Sequence, residues 1–201
     1  MTKSPMTVIR GGRVVDIRRH AAPKADILVK GDTIVEIGRP GLAAPPHAAT
    51  IDAKGRLLHP GLINGHTHSH GNLGKGLGDR FTLELLLTAG PWISGSRTLE
   101  DKYLSSLIGA AEMVLKGCTA AYDLAAEFPI PSVDGLNAIG QAYADVGMRA
   151  VLAPMMADHA LYDALPGLME ALPPPLRARA EAMRAQPAQA ILDAARAVLS
   201  S

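Results

Sequence analysis

Two histidines separated by one residue, His66 and His68, are the side chains best spaced for chemistry in this sequence. They follow an apolar run from Leu57 to Ile63, which predicts a short buried strand. On a strand, residues i and i+2 point to the same face at roughly 6.5–7 Å between Cα atoms. Two imidazole nitrogens so placed can reach one cation at about 2.0–2.1 Å, the distance that zinc prefers. The pattern therefore predicts a metal site, and the alternative is a pair of solvated loop histidines.

Other polar residues flank the histidine pair. Asn64 is expected on the same face of the strand, whereas Thr67 points into the opposite layer. If the strand continues, His70 lies on the same face as His66 and His68. It is then a third metal ligand, a group that orients a ligand, or a substrate contact. The glycines between His70 and Asp79 disfavour a helix and indicate a loop over the site.

The residues before this strand predict β-hairpins. In each hairpin, two short apolar strands flank two residues that include glycine. The strand pairs are Thr7–Arg10 with Arg13–Asp16 and Asp26–Lys30 with Thr33–Ile37. We predict a small sheet domain over residues 1–56 and a second domain over residues 57–201.

Strands and helices alternate after the histidines, which predicts an α/β fold with a parallel sheet. A first short helix begins at Phe81 and is expected to stop near Gly90-Pro91. The later predicted elements are a helix from Thr98 to Gly117, a strand over Cys118–Asp123, a helix over Val133–Val146, a strand over Met148–Met156, and helices over Leu161–Leu172, over Leu176–Arg184 and after Pro187.

Polar residues also follow the two later strands. Asp123 ends one strand, where it can orient a substrate amine or a ligand histidine, or serve a structural role. His159 lies just past the next strand and is a candidate substrate contact. Functional sites of parallel α/β proteins lie at the carboxyl ends of the strands, so these positions are the expected ones.

The composition limits the possible partners. Apolar residues make up 48% of the chain, enough for a substantial core. The formal net charge is +1 and the basic residues are scattered, which argues against nucleic acid or an anionic membrane as a partner. No apolar run reaches the 18 or so residues of a membrane span, and no signal peptide is evident. The single cysteine, Cys118, fits a reducing cytoplasm.

A long ordered motif resembles the entry signature of the amidohydrolase superfamily. It reads IDAKG at 51–55 and PGLINGHTH at 60–68, where the superfamily has I-D-A-x-G, an apolar run and P-G-L-I-(D/N)-x-H-x-H. The motif is most similar to the branch that holds chlorohydrolases, guanine deaminases and deaminases of S-adenosylhomocysteine-like nucleosides. The turn KGCT at 116–119 is also common in this family.

The resemblance implies a (β/α)₈ TIM barrel with a small β-sandwich built from both chain ends. It implies one divalent metal ion held by His66 and His68, with zinc as the first choice and iron or manganese as alternatives. The implied reaction is hydrolysis of a non-peptide C–N bond in an amine-bearing heterocycle or amide, through a metal-activated water. Trp92 either walls the substrate site, as an aromatic does in the resembling deaminases, or serves packing. A small-molecule substrate and a homo-oligomeric full-length form are expected.

The chain supplies only part of what the resemblance requires. We count about three βα units, whereas a barrel needs eight. The family also uses a histidine after strand 5, another after strand 6 and an aspartate after strand 8, and no residues remain to supply them. We therefore expect the N-terminal portion of a longer amidohydrolase. The alternative is a truncated, non-catalytic remnant, or a half-barrel that needs a second polypeptide.

Overall fold

The computed structural model describes residues 4–128, 130–155, 161–182 and 187–200. The chain divides into two compact units, Met1–Pro60 and Gly61–Ser201. Among the helices within these ranges, none is long and apolar enough to cross a membrane.

The first unit is a five-stranded sheet. Its strands are β1 (Met6–Val14), β2 (Lys24–Lys30), β3 (Thr33–Gly38), β4 (Ala49–Asp52) and β5 (Leu57–Leu58). The order is β3-β2-β1-β4, and β5 also pairs with β1. The β1–β2 and β2–β3 pairs are antiparallel, whereas β4 and β5 run parallel to β1.

One predicted hairpin is confirmed and the other is wrong. The chain turns at Gly31-Asp32 between β2 and β3, as predicted. Gly11-Gly12 does not form a turn, because β1 continues through both residues. Gly11 has a φ of +76°, and the register against β2 shifts between Ile9 and Gly12. The glycines therefore form a β-bulge, which needs the same positive φ that a tight turn needs.

The second unit is a three-stranded parallel sheet covered by helices. Its strands, in the order β6-β7-β8, are β6 (Leu62–Thr67), β7 (Cys118–Ala125) and β8 (Arg149–Pro154). A 3₁₀ helix follows β6 over Ser69–Gly74. The α-helices are α1 (Leu83–Ser94), α2 (Leu99–Leu115), α3 (Val133–Val146), α4 (Leu161–Ala164), α5 (Leu168–Ala171), α6 (Pro174–Ala182) and α7 (Ala188–Leu199). This alternation confirms the predicted α/β class.

Helices α2 and α3 pack on the sheet and have the predicted ends. Thr98 and Asp101 form a capping box at the start of α2, and Ser132 caps α3. Gly147 ends α3 with a φ of +75°. The buried cluster between these helices and the sheet consists of Ala110, Ala121, Ala125, Leu136, Ile139, Tyr143 and Met148.

Three local predictions in and near this unit are wrong. The run Leu57–Ile63 is not one strand, because Pro60 separates β5 from β6 and the two pair in different sheets. Helix α1 continues through Pro91 to Ser94 instead of stopping at Gly90, although a proline removes one helical hydrogen bond and crowds the preceding turn. The stretch Leu161–Leu172 forms two short helices, because Gly167 takes a positive φ of 78° between them.

Candidate metal centre

The two predicted metal ligands converge at the carboxyl end of β6. Their Nε2 atoms lie 3.0 Å apart, and the ring centroids of His66 and His68 are 4.9 Å apart. Two nitrogens bound to one tetrahedral zinc ion at about 2.0–2.1 Å are separated by about 3.3 Å. The observed separation of the two ring nitrogens therefore fits a shared divalent ion.

The tautomer of His68 also fits a metal ligand. Its Nδ1 lies 3.0 Å from the carbonyl oxygen of Leu124, to which it donates a hydrogen bond. The hydrogen is therefore on Nδ1, and the Nε2 lone pair faces His66. Histidines that bind metals commonly donate their other ring N–H to a backbone carbonyl in this way.

His70 lies beside the pair but is held differently. The strand ends at Thr67, so His70 sits in the 3₁₀ helix and does not continue the face of the strand. Its ring centroid is 5.6 Å from that of His68, and its Nδ1 accepts a hydrogen bond from the backbone N–H of Ala126 at 3.2 Å. Burial is the main cause that lowers the pKa of His70, to about 4. A neutral His70 with Nδ1 as acceptor carries its hydrogen on Nε2, which suits a donor better than a metal ligand.

Asp123 is buried behind the histidines. Its Oδ1 accepts a hydrogen bond from the backbone N–H of Ser69 at 3.0 Å, and its Oδ2 accepts one from the hydroxyl of Tyr143 at 3.1 Å. The residue is 0% exposed. Burial and the adjacent carboxylate raise the pKa of the Tyr143 hydroxyl. This arrangement favours the structural role of Asp123 over a direct substrate contact.

The prediction for Asn64 is wrong, because β6 is bulged. Asn64 pairs with Ala121 and Thr67 pairs with Asp123, so the register shifts between them. The Nδ2 atom of Asn64 lies 3.2 Å from Sδ of Met113 on α2, which places the side chain on the helix-covered side of the sheet. Thr67 shares that side as the partner of Asp123.

Trp92 is held by two neighbouring helices. Its Nε1 donates a hydrogen bond to the hydroxyl of Tyr162 at 2.6 Å, and that hydroxyl donates to the carbonyl of Thr88. The guanidinium carbon of Arg179 lies 4.7 Å from the centre of the Trp92 ring. These contacts favour a packing role for Trp92. The ring also lines an open cavity of about 240 Å³, together with Pro91, Gly95, Ser96, Arg179 and Ala182.

Two further sequence predictions concern the rest of the site. His159 lies outside the described residues. Within the described ranges, no group of three or more His, Cys, Asp or Glu side chains is placed to hold a metal ion. In the described part of the chain, the candidate centre therefore rests on two histidines.

Sequence reasoning missed the main-chain groups that orient the histidines. The carbonyl of Leu124 and the N–H of Ala126 both belong to the segment at the end of β7. Lys102 and Ser132 bond to Glu127 next to this segment, and the Ser132 N–H donates to its carboxylate at 2.8 Å. Burial opposes ionisation, but these hydrogen bonds lower the pKa of Glu127. Main-chain groups are present at every residue, so no sequence pattern identifies them.

The comparisons with known proteins agree on one family. The model of the amidohydrolase family matches residues 57–200. The chain is 34% identical over 154 residues to the 5-methylthioadenosine/S-adenosylhomocysteine deaminase of Symbiobacterium thermophilum, covering 73% of this chain and 33% of that protein. It is 33% identical over 136 residues to the 5'-deoxyadenosine deaminase of Methanobrevibacter smithii, covering 67% and 29%. The chain thus spans about a third of the length of the curated relatives that it matches.

Solved structures show the same relationship. Atrazine chlorohydrolase TrzN from Arthrobacter aurescens TC1, crystallised with zinc, superposes with a TM-score of 0.64 at 29% identity, covering 74% of this chain and 35% of that one. An amidohydrolase from a Sargasso Sea sample superposes with a TM-score of 0.70 over 98% of this chain and 42% of that one, and at 22% identity it shows the fold alone. The resemblance predicted from residues 51–68 is confirmed, and the chain belongs to the amidohydrolase family.

Proposed function

We propose that this chain forms the first part of the (β/α)₈ barrel of a metal-dependent hydrolase that deaminates an amine-bearing heterocycle. The observation that carries the proposal is the 3.0 Å approach of the His66 and His68 Nε2 atoms. The hydrogen bond from His68 to Leu124 supports it, because that bond keeps the ring hydrogen on Nδ1 and turns the Nε2 lone pair towards His66. The remaining ligands and the general base belong to parts of the barrel that the described residues do not include.

The proposed metal is one divalent ion, with zinc as the first choice. Imidazole nitrogens suit zinc and iron, and manganese is kept as a further alternative. When bound, such an ion acts as a Lewis acid and lowers the pKa of water towards 7. The protein's part is to present His66 and His68 as neutral donors with a fixed separation.

The proposed substrate is a small heterocycle of the adenosine type. Relatives named as deaminases of adenosine derivatives support this choice. A zinc-containing chlorohydrolase of similar fold raises the related possibility of chloride as the leaving group. We assign His70 to the substrate side of the site, where its Nε2–H can donate a hydrogen bond to a ring nitrogen or a carbonyl. His159 stays a predicted substrate contact.

A second candidate is a barrel part that works only when another polypeptide segment completes it. In the three-stranded sheet, β6 and β8 are the edge strands. Ile63 on β6 is 75% exposed and Val151 on β8 is 58% exposed. Open apolar edge strands are unfavourable in a free-standing domain, and further parallel strands would cover them. This observation favours hydrolysis by a completed barrel over hydrolysis by these residues alone.

The test isolates the protein from its own cells through an affinity tag at the chromosomal N-terminus, together with any polypeptide that completes the barrel. We expect the isolated material to contain zinc and to release ammonia from 5'-deoxyadenosine or S-adenosylhomocysteine. Release of chloride from atrazine is measured in parallel. The double variant His66→Ala/His68→Ala should lose both the metal and the turnover, and full retention of both would contradict the proposal.

A further inference from the structure

Strand β6 has a β-bulge between Asn64 and Thr67, a segment that includes His66, one of the two proposed metal ligands. Asn64 pairs with Ala121 and Thr67 pairs with Asp123, so two residues of β6 lie opposite one residue of β7. A bulge bends its strand and redirects the side chains in and after it. The extra residue lies in the segment that carries His66. The direction of this histidine therefore depends on the geometry of the bulge.

The side chain of Asn64 holds the bulge in place. Its Oδ1 accepts a hydrogen bond from the backbone N–H of His66 at 3.1 Å, and its Nδ2 lies 3.2 Å from Sδ of Met113. This amide orientation matches both partners, since the reversed orientation would set an NH₂ donor against the N–H of His66. Asn64 therefore ties the backbone of His66 to helix α2 behind the sheet.

The ring of His66 has little else to orient it. Within the described part of the chain, its one hydrogen bond is the 3.0 Å contact with His68, and the residue is exposed. His68 differs, because the carbonyl of Leu124 fixes its Nδ1. The direction of the His66 Cα–Cβ bond is thus set by the backbone that Asn64 holds, and the contact with His68 acts on the ring itself.

We propose that Asn64 is a positioning residue that directs His66 towards the ion shared with His68. This inference rests on the proposed function, because it requires the two histidines to bind one metal. Asn64 acts from the opposite side of the sheet, through the His66 backbone. Removing a group that orients a metal-binding histidine typically lowers metal affinity by about 10- to 100-fold.

The experiment measures zinc affinity by competition with a chromophoric chelator, on the protein isolated from its own cells together with any polypeptide that completes the barrel. Asn64→Leu removes the acceptor for the His66 N–H and should weaken zinc binding about tenfold or more. Asn64→Asp keeps an acceptor oxygen at the same place and should stay within about threefold of the wild-type affinity. Equal losses in the two variants, or wild-type affinity in Asn64→Leu, would overturn the proposal.

Met113→Leu is the matched control. It removes the sulfur contact of Asn64 and leaves the hydrogen bond to His66, so zinc affinity should change by less than about threefold. Thermal unfolding without metal shows whether each variant folds. Should Asn64→Leu fail to fold, Asn64→Ala makes the same comparison without added bulk.

Two readouts separate this inference from the function it rests on. If His66→Ala leaves zinc binding unchanged, the proposed metal centre itself is wrong. If His66→Ala abolishes binding and Asn64→Leu does not weaken it, only the role of Asn64 is wrong. Hydrogen exchange at the His66 amide, measured without metal, should accelerate in Asn64→Leu and not in Met113→Leu.

Discussion

The backbone N–H of Ser69 donates a hydrogen bond to Oδ1 of Asp123 at 3.0 Å, which joins the end of β7 to the residue after His68. The neighbouring carbonyl of Leu124 accepts a hydrogen bond from the His68 ring itself. Two consecutive residues of β7 thus hold the backbone of Ser69 and the ring of His68. The geometry of the candidate centre therefore depends on a buried layer behind it as much as on the histidines.

Removing the carboxylate of Asp123 should destabilise this layer. Asp123→Leu leaves the Ser69 N–H and the Tyr143 hydroxyl buried without an acceptor, so we expect a loss of at least about 2 kcal/mol in the free energy of unfolding. Asp123→Asn keeps an acceptor for Ser69 and should lose only about 1 kcal/mol. Urea denaturation without metal measures both. A Leu variant as stable as the wild type would contradict the assigned role.

The role of His70 can be separated from that of the proposed metal ligands, His66 and His68. His70→Asn places an amide oxygen near the position of Nδ1, so it keeps the acceptor for the Ala126 N–H and removes the Nε2–H donor. We expect an unchanged zinc affinity and weaker substrate binding in the completed enzyme. Zinc affinity, measured by competition with a chelator, is compared between this variant and His68→Ala, the positive control for loss of a ligand. A loss of zinc affinity as large as that of His68→Ala would make His70 a ligand.

Much of the second unit could be predicted because its helices carry explicit end signals. Thr98 and Ser132 cap helix starts with their own side chains, and Gly147 ends α3 at a positive φ. The sequence patterns that gave wrong predictions are compatible with more than one structure. Gly11-Gly12 serves a bulge and a turn equally well, and only the pairing partner distinguishes them. Pro91 removes one helical hydrogen bond, which α1 tolerates.

The candidate site was predicted only where side-chain spacing determines it. The interval between His66 and His68 was sufficient to predict a converging pair, as the 3.0 Å separation of their Nε2 atoms shows. The side of the sheet occupied by Asn64 could not be predicted, because one extra residue in β6 reverses the alternation. Whether His70 continued the strand depended on a 3₁₀ helix that is held by distant residues.

Gly109 on α2 should be intolerant of a side chain because of that 3₁₀ helix. A Cβ at Gly109 would lie 2.1 Å from Nδ2 of Asn72, which donates to the Ser69 carbonyl at 3.1 Å. Gly140 on α3 is the control, since its Cβ would meet only Leu152 at 3.7 Å. Gly140→Ala should raise the free energy of unfolding by about 0.5–1 kcal/mol. The free energy of unfolding of Gly109→Ala should be at least about 1 kcal/mol lower than that of Gly140→Ala. Equal increases in the free energy of unfolding of the two variants, measured by urea denaturation, would contradict this prediction.

In the first unit, the stability should depend on pH through Asp26. The side chain is 2% exposed, and its carboxylate accepts hydrogen bonds from the Gly11 and Gly41 N–H groups and from Arg10, each at 2.9 Å. The hydrogen bond from the Gly11 N–H has the largest effect on the pKa of Asp26. Burial acts in the opposite direction, but the hydrogen-bond donors together lower this pKa. The bonds to Gly41 and Arg10 hold the segment after β3 against β1. Ionised Asp26 is thus the form that the folded unit prefers.

Because this pKa is lower in the folded state, the unfolded chain takes up the proton first as the pH falls below about 4. The stabilisation is therefore complete above the pKa of the unfolded chain and is lost as the pH falls through the folded value. Asp26→Asn cannot titrate and lacks the charge opposite Arg10, so it should be less stable than the wild type at pH 7. Urea denaturation from pH 7 to pH 3 should show the difference between the two proteins shrinking towards acid. A difference that stays constant over this range would mean that Asp26 is not the group responsible.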